Sequence, residues 1–284
     1  MRATVRKSAD CLSESGECMD RDRKELLIII PAYNEEKTIG GLIDQLEDNG
    51  ITRWADLLVM NDASKDGTGG LVIDRGYKVV THIFNLGYGS GLQLGYKYAA
   101  RNHYKYVIQM DADGQHDVAN VEMIYERLKL EDENGETPDI VLGSRFVEGA
   151  PEYKISAAKR VAIKLFKFLI KLLGHKKITD PTTGLQGLSY RTFYFYSKYN
   201  HFDDKYPDAN MILQMQLLGY NIVEIPAIMH FRTEGVSMHS GLKPIIYMIR
   251  MMYSIIAVWM RIKIYHNDLE GAVNDKVSKS SNKI

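Results

Sequence analysis

Tyr106-Val107-Ile108-Gln109-Met110-Asp111-Ala112-Asp113 is the stretch on which the reading of this chain turns. Its first five residues form an apolar run rich in β-branched and aromatic side chains, the pattern of a buried strand. Two carboxylates one residue apart then leave the sheet together. Two like charges about 4 Å apart repel by roughly 1 kcal/mol in water, and by more in a drier site. A divalent cation relieves that repulsion, and Mg²⁺ or Mn²⁺ characteristically joins one or two carboxylates to phosphate oxygens. The alternative is that Asp-Ala-Asp-Gly is only a turn with a helix cap, and the surrounding sequence has to decide.

On either side, apolar runs alternate with helical patterns. Leu26–Ile30, stopped by Pro31, Asp56–Met60, Tyr77–Thr81 and Asp139–Gly143 read as four further strands. Helical spacing runs from about Glu35 to Glu47, Gly67 to Arg75, Gly89 to Arg101 and Val118 to Leu130. This order predicts an α/β fold with a mostly parallel central sheet flanked by helices on both faces. Ligands in such sheets sit at the carboxyl ends of the strands. All the polar clusters of the first half fall there: Pro31-Ala32-Tyr33-Asn34-Glu35, Asn61 to Thr68, Asn85 to Gly91, and Asp111-Ala112-Asp113. Four such clusters on one rim are more than helix capping requires, which favours the metal and phosphate reading.

The chain has 284 residues, with 36 Lys+Arg against 36 Asp+Glu, so bulk charge points to no nucleic-acid partner. Residues 1–24 read as a disordered leader and 268–284 as a second solvated tail. Residues 25–240 read as the main domain and 241–267 as a C-terminal amphipathic helix. Cys11 and Cys18 both fall in the leader, where neither can staple a core, and the leader has no apolar segment of signal-peptide type. Cytoplasmic residence is the resulting expectation.

The rim suits a nucleotide sugar. Asp62 can accept from a pyrimidine imide or from ribose hydroxyls, Tyr33 offers an aromatic face, and Asn34 and Glu35 can meet ribose or base edges. The turn containing Gly87, Gly89 and Gly91 lets backbone N–H groups approach an anion at a helix N-terminus. Its G-x-G-x-G spacing is not the dinucleotide fingerprint. Pro-Ala-Tyr-Asn-Glu-Glu (31–36), Asn-Asp-Ala-Ser-Lys-Asp-Gly-Thr (61–68), Asn-Leu-Gly-Tyr-Gly (85–89) and Met-Asp-Ala-Asp-Gly-Gln-His (110–116), in this order, resemble the family 2 glycosyltransferases of GT-A fold. Within that family the chain is most similar to the dolichyl- and polyprenyl-phosphate sugar synthases, over roughly Leu26 to Ser240.

The resemblance implies an inverting transfer from a UDP- or GDP-sugar with Mg²⁺ or Mn²⁺. It implies that Pro31, Tyr33, Glu35, Asp62, Gly87, Asp111, Ala112 and Asp113 hold the donor, and that Asp111, Asp113 and Gln115 hold the metal. It further implies that Arg145, after the fifth strand, faces a phosphate of donor or acceptor; a surface salt bridge is the other reading of that arginine. A sugar-nucleotide pyrophosphorylase would need a basic glycine-rich loop after the first strand, which Ala32-Tyr33-Asn34-Glu35 does not supply. A donor-binding scaffold without turnover is opposed by the intact Asp111, Asp113 and Asp208.

The second half bears on the acceptor. Arg160, Lys164, Lys167 and Lys171 recur at i, i+4, i+7 and i+11, a cationic stripe on a helix within Ile155 to Lys177. Val161, Leu165, Phe168, Leu169, Leu172 and Leu173 supply apolar surface around it, so the helix suits either a membrane surface or a packed core with a solvated basic face. Thr183 and Gln186 fall in a segment similar to the family's acceptor floor, where many relatives carry arginine at the position of Gln186. Phe231 to Met238 resembles their Arg-x-x-Gly-x-Ser-Lys loop, with Arg232 kept for diphosphate contact and Met238 replacing the lysine. Asp208 opens a helix reaching Leu218, as an N-cap or as a general base if the acceptor is a hydroxyl. Pro244 to Tyr265 is apolar without interruption only from Met251 to Met260, too short for the ~20 residues of a span. It reads as an interfacial helix, a contact between copies of this chain, or a helix packed on the domain. The acceptor is expected to be lipid-linked or a glycan.

Overall fold

The computed structural model describes residues 24–230, apart from 154 and 175, and residues 243–264. The expected tails and the Phe231–Met238 loop, with Arg232, lie outside the described residues. The elements are β1 (Leu26–Ala32), α1 (Glu36–Asp48), β2 (Ala55–Asn61), α2 (Thr68–Asp74), β3 (Lys78–Thr81), α3 (Tyr88–Arg101) and β4 (Tyr106–Gln109). They continue as α4 (Ala119–Lys129), β5 (Ile140–Ser144), α5 (Ala157–Gly174), β6 (Gln186–Ser189), α6 (Tyr190–Tyr196), α7 (Ala209–Leu217), β7 (Ile222–Pro226) and α8 (Lys243–Lys263).

The strands form one sheet in the order β3-β2-β1-β4-β6-β5-β7, parallel except for β6, which runs antiparallel to both β4 and β5. This is the mostly parallel α/β sheet that the alternation predicts. β1 lies near the centre, and Leu26 to Ile30 are all fully buried. Burial on both faces explains a continuous apolar run where a half-exposed strand would alternate. Leu27 and Ile29 face a layer built on α3, α5, α6, α7 and α8, while Leu26, Ile28 and Ile30 face α1, α2 and α4.

Two differences from the sequence reading have physical causes. β1 does not stop at Pro31 but runs to Ala32, with Pro31 in register with Met60. Ile29 O accepts from Met110 N and Ala32 O from Asp62 N. By alternation, the Pro31 nitrogen therefore faces the β4 side, where pairing has already ended at Ile29. The missing N–H costs no ladder bond there. The second difference is the insertion of β6. Gln186-Gly187-Leu188-Ser189 is too short and polar to signal a strand, and is one because β4 and β5 leave a gap that it fills.

On α5 the expected cationic row is incomplete. Ile163, Phe166 and Ile170 form the buried side, and Lys167 is half-buried with its Nζ 5.9 Å from the Phe146 ring centroid. Arg160, Lys164 and Lys171 stay exposed.

Candidate active site at the carboxyl edge of the sheet

The loops after β1 and β2 are stitched together. Asn34 N donates to Ser64 Oγ at 3.0 Å, and Lys65 N to Asn34 Oδ1 at 2.8 Å. Glu35 N donates to Thr68 Oγ1 at 2.9 Å, and Gly67 N to Glu36 Oε2 at 3.1 Å. Asn34 and Ala63 both adopt positive φ, 55° and 57°, and this bracing helps to hold them there. Tyr33 remains exposed and Pro31 half-buried at the edge, so both present surface to a ligand. The Glu35 carboxylate accepts from the Thr38 hydroxyl at 2.6 Å.

Asp62 is more committed than its sequence position suggests. Its Oδ1 accepts from Leu86 N and from the His82 ring Nδ1–H, both at 2.8 Å, and its Oδ2 accepts from Gly87 N at 2.8 Å. The buried carboxylate thus clamps both stems of the loop before α3, which leaves one lone pair for a ligand donor. The glycine turn also differs from expectation. A Cβ on Gly89 would overlap the Asp203 carbonyl, and Ser90 N donates to Asp204 O at 2.9 Å. Gly89 serves the close approach of the loop before α7. The first turn of α3 is accordingly less open to an anion than the motif implies.

The Asp111-Ala112-Asp113 turn anchors itself through Ala112, which is buried in the core layer on the α1, α2 and α4 side of the sheet. Asp111 Oδ1 accepts from the Tyr88 hydroxyl at 2.9 Å, and the buried His116 places Nε2 3.6 Å from Oδ2. Burial pushes the Asp111 carboxyl up, but His116, Tyr88 and Arg145 together hold it below the ordinary value. A Cβ on Gly184, just before β6, would overlap this same carboxylate, so the glycine leaves the space that Asp111 occupies. Asp113 Oδ1 accepts from Gln115 N at 3.1 Å. Gln115 Nε2 donates to the Tyr153 hydroxyl at 2.9 Å, an amide orientation that leaves Oε1 as its acceptor. Asp111, Asp113 and Gln115 Oε1 form an all-oxygen set that fits a hard divalent cation. Among the described residues no three His, Cys, Asp or Glu side chains group as a complete metal cage.

Just after β5, Arg145 is not a surface residue. Its Nε and Nη2 pair with Asp180 Oδ2 and Oδ1 at 2.6 and 2.7 Å, and Nη2 also meets Thr182 Oγ1 at 2.9 Å. Glu224 on β7 holds the turn beneath by accepting from Thr179 N and Asp180 N at 2.7 and 2.9 Å. Burial favours neutral Asp180, yet Arg145 outweighs it and keeps the carboxyl below the ordinary range. Thr183 gives its hydroxyl to Gly143 O at 2.6 Å, and the Gln186 amide donates to Thr183 O at 3.1 Å. Both side chains are buried and turned into the fold.

Asp208 stands at the N-cap position just before α7, but its carboxylate does not cap the helix. Instead Asn210 Oδ1 receives the backbone N–H groups of Asp208 and Met211, and Asp208 Oδ2 accepts from the Tyr247 hydroxyl at 2.6 Å. Burial, then the charges of Asp111 and Asp203, raise the Asp208 carboxyl to about 6. Lys159 lies four and seven residues before the buried Ile163 and Phe166, on the same side of α5 but beyond the core edge. There it is within electrostatic reach of Arg145, Asp180, Asp208 and Asp111. Arg160, singled out from the sequence, and Lys159 are both exposed by surface area, and it is Lys159 whose charge reaches these groups. Tyr88, His116, Lys159, Gly184 and Tyr247 are thus site residues that sequence reasoning passes over. Tyr88 and His116 sit inside quoted motifs and Gly184 between Thr183 and Gln186 of the segment similar to the family's acceptor floor, while Tyr247 has no local signal at all.

The profile of Glycosyl transferase family 2 matches residues 27–195. An uncharacterized protein of Methanocaldococcus jannaschii is 31% identical over 60% of this chain and 66% of its own length. The undecaprenyl-phosphate mannosyltransferase of Micrococcus luteus is 26% identical over 76% of this chain and 88% of its own. Among solved structures, glucosyl-3-phosphoglycerate synthase of Mycobacterium tuberculosis, in complex with Mn²⁺, UDP and glucosyl-3-phosphoglycerate, superposes with a TM-score of 0.60. The superposition covers 84% of this chain and 79% of that one at 20% identity, a likeness of fold.

Proposed function

The chain belongs to glycosyl transferase family 2, and from that membership we propose that it moves a sugar, with inversion, from a nucleoside-diphosphate sugar to a lipid-linked phosphate. The observation that carries this reading is the Asp111 carboxylate seated against Gly184, two residues before Asp113, and held ionised by His116, Tyr88 and the nearby charge of Arg145. Asp62, Tyr33 and Glu35 bind the nucleoside. Asp111, Asp113 and Gln115 hold the Mg²⁺ or Mn²⁺, which supplies charge neutralisation at the departing diphosphate. Lys159, with the Arg145 guanidinium edge not used by Asp180, attracts the acceptor phosphate and replaces the cations missing at Gln186 and Met238. The similarity to the undecaprenyl-phosphate mannosyltransferase of Micrococcus luteus supports the acceptor class. The test is calorimetric titration with UDP and GDP, with and without Mn²⁺; no binding of either nucleotide would sink the donor site.

Gly184→Ala places a methyl group where the Asp111 carboxylate sits. Displacing such a ligand from its support costs about 10–100-fold in metal affinity. The expected result is a loss of that size in Mn²⁺-dependent nucleotide binding, with metal-free binding little changed, read in the same titration.

A second reading, transfer to a glycan hydroxyl, is favoured by the Asp208 carboxylate, which is held by Tyr247 and not spent on capping. A hydroxyl must lose its proton on attack, whereas a phosphate monoester with a second pKa near ~6 is already anionic. Asp208→Asn is therefore expected to spare transfer to polyprenyl phosphate, and to lower transfer to a hydroxyl sugar about 10²–10⁴-fold. Stability supplies a separate measurement. The folded state raises this carboxyl to about 6, so it binds the proton more tightly than the unfolded chain does. Stability then falls as pH rises between the ordinary carboxylate value and about 6. Asp208→Asn removes that penalty, raising stability on the order of 1–2 kcal/mol at neutral pH and little at about pH 4. Thermal melts at both pH values decide it.

A further inference from the structure

The outer faces of α5 and α8 lack a partner among the described residues. Ile246, Ile249, Tyr253, Ile256 and Met260 are each between 36% and 72% exposed, with Ile264 just beyond the helix also exposed. They follow one another at three- and four-residue steps. At about 100° per residue these steps gather them within about 80° of the helix circumference. Met251, Ile255 and Val258, which are buried, lie on the opposite side. α5 likewise turns Val161, Phe168 and Leu172 outward, beside Arg160, Lys164 and Lys171. The two helices pack side by side, with the Phe166 and Tyr247 ring centroids 6.2 Å apart, and both rest on α7. Their outward faces therefore adjoin.

Charge decides what covers this surface. The chain as a whole has zero net charge, yet α5 contains five cations, α8 four, and neither contains an acid. A symmetric second copy would press these cations against their own kind. An anionic headgroup layer is complementary to them. Among the described residues no helix is long and apolar enough to cross a membrane. An apolar stripe bordered by cations is the pattern of a helix lying in the interface plane. We infer that α5 and α8 together seat the protein on an anionic bilayer surface, apolar stripes down and Arg160, Lys164, Lys171 and Arg250 among the phosphates. The inference rests on the lipid-phosphate reading above and adds the surface on which that acceptor is met. The same helix that docks supplies Tyr247, whose hydroxyl holds Asp208 at 2.6 Å, so the docking face and the candidate site share one element.

The experiment is co-sedimentation of the full chain with vesicles of equal parts phosphatidylcholine and phosphatidylglycerol, and with phosphatidylcholine alone. The full chain is expected to sediment with the anionic vesicles and to be released by salt. Ile249→Glu with Ile256→Glu, and separately Lys164→Gln with Lys171→Gln, are expected to weaken this binding about tenfold or more. Both double variants should leave calorimetric nucleotide binding unchanged, which also reports that they are folded. Absence of sedimentation with the anionic vesicles would overturn the inference, as would full binding by the lysine variant. A dimer in light scattering that the isoleucine variant abolishes would overturn it too, since the face would then belong to a second copy. Vesicle binding without nucleotide binding would leave the docking face standing and remove the donor reading instead.

Discussion

Asp111→Asn is expected to lower sugar transfer about a thousandfold or more while leaving the fold intact. The side chain keeps its size, so it still fits against Gly184, and Ala112 still anchors the turn. What is lost is the negative charge that Tyr88 and His116 help to keep ionised. In the proposed reaction that charge holds the divalent cation that neutralises the departing diphosphate, and such stabilisation amounts to several kcal/mol, a factor of about 10³ or more in rate. Asp113→Asn should behave similarly. Rates measured with Mn²⁺, and with EDTA, check both variants against unchanged circular dichroism. Near-normal transfer by either variant in EDTA would refute the metal role.

Arg145→Met is expected to destabilise the protein strongly as well as disabling it. The Asp180 carboxylate is fully buried and its charge is met by the Nε and Nη2 of this one arginine. Removing one partner of a buried pair costs about 3–5 kcal/mol, because the other charge is left uncompensated. In a domain of this size that corresponds to a fall of about 10 °C in Tm. The sign with pH follows from the carboxyl. Asp180 is held below its ordinary value when folded, so the contribution is present above that value and is lost as pH falls through the folded one. Adding Asp180→Leu to Arg145→Met should recover much of the stability and none of the transfer. If the single variant melts like the wild type, the pair is not a structural support. Recovery of transfer in the double variant would remove Arg145 from the chemistry.

The division between these two residues reflects what local sequence can encode. Asp111 was legible because a buried apolar run must end somewhere, and polar residues at the end of a parallel strand face the ligand edge. Arg145 was legible as a position after β5 but not as half of a buried pair, since Asp180 reaches it across a turn that Glu224 on a third strand supports. Asp62 shows the same limit from the other direction. Its place in the motif points to a nucleoside, while its carboxylate also organises the His82–Gly87 loop.

By itself the sequence determined the alternating strands and helices, the carboxyl-edge rim and the acidic turn, because hydrophobic period and turn residues act over a few neighbours along the chain. The tertiary structure alone decided which side chains complete the site. β6 enters antiparallel between β4 and β5 and brings Gly184 against Asp111, and α8 folds back over α7 to hand Tyr247 to Asp208. These contacts join residues far apart in the chain, and each depends on filling a gap whose shape exists only once the surrounding sheet has formed. No spacing within a single segment could have announced them.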